Sequence, residues 1–152
     1  MKEYGDSTPL VHGNSSRLGQ VFLNLIINAA QAFPAGSAVA KNRIGVTTRV
    51  DEAGVKAVVE VSDTGSGIPK ENLARVFEPF FTTKPIGVGT GLGLAICHRI
   101  VTDLGGTLTV QSTVGQGSVF RVTLPAYVAP ETAAPRTTSA VGNARRGRLL
   151  VI

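Results

Sequence analysis

Asn24 and Asn28 lie four residues apart, a spacing that stacks two side chains on one face of a helix. An amide oxygen placed there can ligate Mg2+ whose other ligands are water and phosphate oxygens. Further on, Asp63-Thr64-Gly65-Ser66-Gly67-Ile68-Pro69 sets a carboxylate ahead of two glycines. A carboxylate accepts a hydrogen bond from an exocyclic amine such as that of adenine, and glycine lets backbone approach a flat ligand closely. Phe77-Glu78-Pro79-Phe80-Phe81-Thr82-Thr83-Lys84 gathers three of the six Phe beside a lysine. Apolar anchors beside a glycine-rich segment suit a lid over a ligand, with Lys84 in reach of a phosphate. Last, Gly87-Val88-Gly89-Thr90-Gly91-Leu92-Gly93-Leu94 runs into an apolar stretch. Its amides, with the start of a helix, make an anion-binding surface. The spacing fits neither G-x-x-x-x-G-K-[ST] nor G-x-G-x-x-G, which excludes P-loop and dinucleotide-binding readings.

Each cluster alone has a plainer reading: a solvated helix amide, an Asp-initiated turn, a small satellite core with a solvated lysine, a hinge loop. In this order along one chain, a metal-ligating amide, an adenine acceptor, a lid and a phosphate loop are the parts of a nucleotide site.

The elements that position these groups are legible from periodicity. Residues 9–13 (PLVHG) read as a short strand, and Asn14 or Ser15 can cap a helix starting near Ser16. Leu18, Val21, Phe22, Leu25, Ile26, Ala29 and Phe33 recur at three- and four-residue spacing, so one face of that helix enters the core until Pro34 and Gly36 stop it. Residues 43–50 and 55–62 alternate as two strands about an Asp51-Glu52-Ala53-Gly54 turn. The Gly/Pro-rich region 63–93 carries one short helix near 70–76 and is the place for a site. A second amphipathic helix is expected over 92–104, ended by Gly105-Gly106, and then a hairpin of 107–111 and 118–124 around Val114-Gly115-Gln116-Gly117.

The chain has 152 residues, 43% hydrophobic and 16% charged, enough for one ordinary domain with a core. The net charge of +5 raises the question of nucleic acid. Residues 1–128 hold 11 basic and 9 acidic side chains, so most of the excess lies in 129–152. No basic stripe interleaved with aromatics is present, which argues against nucleic acid. Val21 to Ala30 is interrupted by Asn24 and Asn28 and falls short of the ~20 residues of a membrane helix. The N-terminus lacks the pattern of a targeting peptide, giving a cytoplasmic expectation with no membrane contact by this chain. A lone cysteine, Cys97, excludes an internal disulfide and reads as buried. Residues 1–128 are therefore expected to form the domain, and 129–147, rich in Ala, Pro, Thr and Arg, a flexible linker. Arg148-Leu149-Leu150-Val151-Ile152 turns apolar again, like the first strand of a second domain.

The ordered clusters resemble the GHKL, or Bergerat-fold, ATPase superfamily, and within it sensor histidine kinases, over positions 9–125. Gln20-Val21-Phe22-Leu23-Asn24-Leu25-Ile26-Ile27-Asn28-Ala29 is similar to the N box, and the runs beginning at Asp63, Phe77 and Gly89 are similar to the G1, F and G2 boxes. The F-box wording and short lid resemble the nitrogen-regulation type. The resemblance implies a two-layer α/β (α+β) sandwich, helices on one face of a mixed, mostly antiparallel sheet, with ATP between helix and lid. It implies Asn28 on Mg2+ assisted by Asn24, and Asp63 on the adenine amine. Gly65, Gly67 and Ile68 would line the base pocket. Phe81, Thr83 and Lys84 would belong to the lid side, with Lys84 on the terminal phosphates. Gly89, Thr90, Gly91, Leu92 and Gly93 would wrap those phosphates, and Ser118 would support the adenine side.

Gyrase-type and chaperone relatives carry a glutamate four residues before the Mg2+ asparagine to activate water; here Asn24 stands there, and an amide is no base. The phosphoryl group is then expected to go to a histidine on a separate dimerisation domain of the same parent, and on to a response regulator. His12 and His98 lack the surroundings of an acceptor and read as structural, so the chain is expected to bind Mg-nucleotide, as a monomer, without phosphorylating itself. The tail resembles the start of a receiver domain, as in hybrid kinases. Two rivals are an anti-sigma-factor-type serine kinase, disfavoured by Asn24, and a partner-binding module that has lost nucleotide, disfavoured by the intact boxes.

Overall fold

Asn14 turns the chain into its first long helix. Its side-chain oxygen accepts from the backbone N–H of Ser16 at 2.9 Å and of Arg17 at 3.1 Å, satisfying two of the donors a helix start leaves open. With no acidic residue in the first turn, the cap carries this end alone. Asn14→Ala is expected to cost about 1 kcal/mol of stability, read as a lower urea midpoint at unchanged slope.

In a computed structural model, described over residues 2–4, 9–34, 42–84 and 89–127, this helix is α1 (Ser15–Gln31). The other elements are β1 (Lys2–Tyr4), β2 (Ile44–Val50), β3 (Lys56–Asp63), α2 (Lys70–Leu73), α3 (Gly93–Asp103), β4 (Thr107–Thr113) and β5 (Gly117–Pro125). The sheet order is β1-β2-β3-β5-β4. β1 runs parallel to β2, and the other pairs are antiparallel. α1 and α3 pack on one another and on one face of the sheet. This is the expected two-layer sandwich on a mixed, mostly antiparallel sheet.

The core lies between the layers. Val21, Leu25 and Ala29 of α1 and Cys97, Ile100 and Val101 of α3 meet Val61, Leu108, Phe120, Val122 and Leu124 of the sheet. These are the seams that period 3.6 and period 2 mark in the sequence. Asp51 closes the β2–β3 turn, its side chain accepting from Val55 and Lys56 N–H at 2.8 and 2.9 Å. α3 ends in a Schellman motif, Gly106 N–H to Val101 and Gly105 N–H to Thr102. Arg17 and Asp103 tie the two helices at 2.9 Å, both about half exposed, so the pair contributes little.

Two expectations are corrected. Residues 9–13 form no strand: Val11 makes one bridge to Ala126, and Tyr127 N–H donates to Leu10 at 2.7 Å. Pro9 has no N–H to extend a ladder, and the chain must turn at Gly13 into the Asn14 cap. The strand beside β2 is β1, a segment in which periodicity marks no strand. The helix expected over 70–76 stops at Leu73 and continues as turns to Phe80. The expected linker over 129–147 and the strand at 148–152 lie outside the described residues.

Candidate functional site

The buried stripe of α1 fixes what its next face presents. Asn24, Ile27, Asn28 and Gln31 recur at three- and four-residue spacing beside Val21, Leu25 and Ala29, and all four line a cleft of about 540 Å3, a volume typical of small-molecule sites. The opposite wall comes from the segments after β3 and before α3, and Phe120 and Ser118 of β5 contribute to the floor.

Asp63, the last residue of β3, is 6% exposed. Its Oδ1 accepts from Gly65 N–H at 2.8 Å. Burial pushes its carboxyl above the usual aspartate range, opposed by hydrogen bonds from Gly65 and from the backbone and hydroxyl of Ser118. A carboxylate so placed is a strong, oriented acceptor for a donor entering the cleft. The loop after it is stitched to both neighbours: Ser66 N–H to Ala32, Gly115 N–H to Ser66, and Ile68 N–H to Ser112 Oγ at 2.8 Å. A Cβ at Gly65 would stand 2.6 Å from Ala32 O, and one at Gly67 2.2 Å from Thr113 O. These glycines are thus required by protein packing, which adds to the ligand approach inferred from sequence.

The three Phe of the expected lid face three ways. Phe77 packs on the core and stacks on His98 at 5.2 Å. Phe81 lines the cleft with the Arg75 guanidinium 4.5 Å over its ring. Phe80 is 75% exposed at φ 67°, a conformation a bulky residue rarely takes. Its N–H donates to Gly91 O at 3.0 Å. Gly91 itself has φ 67°, and a Cβ there would stand 2.5 Å from Phe80 C, so the chain on either side of the expected lid comes into direct contact. Positions 85–88 lie outside the described residues.

Lys84 reaches from this foot to α1. Its Nζ donates to Asn28 Oδ1 at 3.2 Å and to Gln31 Oε1, and burial pushes its pKa down. The buried Cys97 thiol donates to Val21 O at 3.6 Å, and burial raises its pKa. Among the described residues lining the cleft, Asp63 is the sole carboxylate and Lys84 the sole cation.

Of the residues singled out in sequence, Asn24, Asn28, Asp63, Gly67, Ile68, Phe81, Thr83, Lys84, Gly89, Thr90, Gly91, Gly93 and Ser118 line the cleft. Gly65 is buried against Ala32, and Leu92, next to α3, does not line it. His98 lies on Phe77 and His12 6.2 Å from Tyr127, both away from the cleft. Sequence reading missed Gln31, Ile27 and Ser112. Gln31 carried a signal, since it follows Asn24 by seven residues and Asn28 by three; Ser112 carried none, because its partners come from other elements.

Asp63 at one end of the cleft and Lys84 at the other suit a ligand with a hydrogen-bond donor at one end and negative charge at the other. The chain belongs to the family of histidine kinase-, DNA gyrase B- and HSP90-like ATPases, whose match covers residues 13–128. It is similar to sensor histidine kinase ZraS of Escherichia coli (strain K12), 43% identical over 123 residues, 81% of this chain and 24% of that protein. It is also similar to sporulation kinase C of Bacillus subtilis (strain 168), 40% identical over 116 residues, 76% of this chain and 25% of that one. Among solved structures, the catalytic domain of histidine kinase ThkA superposes with a TM-score of 0.68 at 33% identity, covering 82% of this chain and 78% of that one. The mycobacterial sensor histidine kinase MprB gives 0.64 at 34%, covering 82% of each. The chain is thus an ATP-binding catalytic domain of the sensor histidine kinase kind, spanning about a quarter of the length of the curated relatives it matches. Among the described residues no helix is long and apolar enough to cross a membrane.

Proposed function

We propose that this domain transfers the γ-phosphoryl group of ATP to a histidine on a separate helical dimerisation domain of the same parent protein, from which a response regulator receives it. The observation that carries this reading is the pair on α1: Asn24 and Asn28 both line the cleft, with an amide where a hydrolytic relative places its base. Without a carboxylate to activate water, the terminal phosphorus is left to a nucleophile from outside. The bond from the γ-phosphorus to the β–γ bridging oxygen breaks, ADP leaves with its electron pair, and an imidazole nitrogen forms the new P–N bond. Such transfers depend mainly on positioning and charge.

In this reading Asp63 accepts the adenine amine, Lys84 meets the terminal phosphates, and the backbone about Gly89, Gly91 and Gly93 surrounds them. Asn28 suits Mg2+: it is a neutral hard-oxygen donor whose Oδ1 already faces a cation, the Lys84 ammonium, and Mg2+ takes such ligands sparingly beside water and phosphate. When bound, the ion neutralises phosphate charge. Asn24, one turn earlier on the same wall, adds a polar contact.

The test supplies a helical dimerisation domain bearing an acceptor histidine, with labelled ATP and Mg2+. Label on the added histidine, stable to alkali and lost in acid, is the expected outcome. Label on His12 or His98 of this chain, or release of free phosphate with no transfer, would sink the proposal.

A further inference from the structure

Lys84 is held from two sides. The amide oxygens of Asn28 and Gln31 accept from its Nζ. Its stem lies against the phosphate loop: a Cβ at Gly89 would stand 3.1 Å from Lys84 Cδ and 3.4 Å from its Cβ. Lys84 N–H also donates to Thr82 Oγ1 at 3.1 Å, fixing the backbone from which the stem leaves. The side chain therefore crosses the cleft along a defined path, from the lid foot to the last turn of α1. That turn carries no basic residue of its own, and the carbonyl end of a helix favours a cation.

Both acceptors are neutral. The ion pairs among the described residues use Arg17, Arg49, Arg75 and Arg121, and none uses Lys84. This difference decides what the lysine can do. An ammonium held by amide dipoles is oriented yet keeps its full charge for an incoming anion. A carboxylate at the same place would cancel that charge and compete with a phosphate for the same donors.

We propose that Gln31 is a positioning residue for the phosphate chain of the nucleotide: its amide oxygen holds the Lys84 ammonium at the phosphate end of the cleft without neutralising it, and remains as the acceptor when Mg2+ takes the Asn28 oxygen. This rests on the nucleotide reading of the cleft given above. Gln31 then acts through Lys84, and its contribution grows with the number of phosphates on the ligand. It should be absent for a nucleoside that reaches only the Asp63 end.

The test titrates the chain calorimetrically with adenosine, Mg-ADP and a magnesium complex of a non-hydrolysable ATP analogue. Gln31→Ala is expected to weaken the triphosphate about fivefold, the size of one lost hydrogen-bond partner, and to leave adenosine unchanged. Gln31→Glu should weaken the triphosphate more, about 20-fold, with the loss shrinking at high salt as charge is screened. In a Lys84→Ala background, Gln31→Ala should change nothing further, because coupled residues fail to add. Equal losses for adenosine and triphosphate would mark Gln31 as merely structural and overturn the proposal. So would losses that add fully to those of Lys84→Ala, or a Gln31→Glu chain that binds triphosphate like the wild type. A wild-type chain that binds neither adenosine nor triphosphate would overturn the nucleotide reading itself, before any variant is compared.

Discussion

Asp63→Asn lowers adenine-nucleotide affinity about 100-fold, the loss that follows when a charged acceptor worth about 3 kcal/mol is replaced by an amide that can present a donor instead. The carboxylate is 6% exposed and already accepts from Gly65 and from Ser118, so its orientation is fixed before a ligand arrives. The variant keeps the shape and can still satisfy one of these backbone donors. It leaves the other facing an amide N–H, and the domain is expected to lose about 1–2 kcal/mol of stability while remaining folded.

The pH dependence separates the two effects. Burial raises the folded-state pKa of Asp63 above its ordinary value. The ionised carboxylate therefore costs folding free energy, and the sign follows from linkage. Relative to the asparagine variant, wild-type stability is greatest below the unfolded pKa of about 3.9 and declines as pH rises through the folded pKa. Nucleotide affinity moves the other way, full above the folded pKa and lost below it. Calorimetric titration of Mg-ADP and melting curves of both proteins across the acidic range check this. Equal affinity in wild type and variant would place the adenine elsewhere. Parallel pH trends of affinity and stability would show that Asp63 is not the group that titrates.

Gly117→Ala is expected to cost about 4 kcal/mol or more, a large share of the 5–15 kcal/mol that holds a domain together. Gly117 opens β5 at φ 103°, where an L side chain is strained. A Cβ there would stand 1.9 Å from Asp63 O, 2.7 Å from Asp63 C and 2.9 Å from Thr64 Cα. All three are backbone atoms, so no rotamer change relieves the contact. The end of β3 would have to separate from β5 where Asp63 pairs with Ser118. Ser112, whose hydroxyl donates to Gly117 O at 2.8 Å while accepting from Ile68 N–H, would shift with them. Stability and the Asp63 pocket should fail together, seen as a low urea midpoint and no nucleotide-induced rise in melting temperature. A midpoint within about 1 kcal/mol of wild type would show that the strand ends are looser than their register implies.

The elements and the ordered groups of the cleft are written in local stretches of the chain. The 3.6-residue seam of α1, its Asn14 cap, the alternation of β2 through β5 and the glycines after α3 are local features. Helix and strand formation respond to local periodicity, so these elements were legible. So were Asn24 and Asn28 on one face, the carboxylate ending β3, and the glycine-rich run entering α3. Their order along the chain carried the family resemblance.

What meets across distance depends on how the layers close on one another. That β5 pairs with β3, leaving β4 at the edge, follows from burying one face of the sheet under both helices, a condition no single segment encodes. β1 was not legible because so short an edge strand is held by its neighbour and has little pattern of its own. The Lys84 path to Gln31 joins residues from separate elements, and only their packing brings an ammonium to an amide. Glycine shows the same division. Its presence at 65, 67 and 117 was plain in the sequence, but whether each served a ligand or a passing backbone depended on what stood within a Cβ's reach once the sheet and helices had closed.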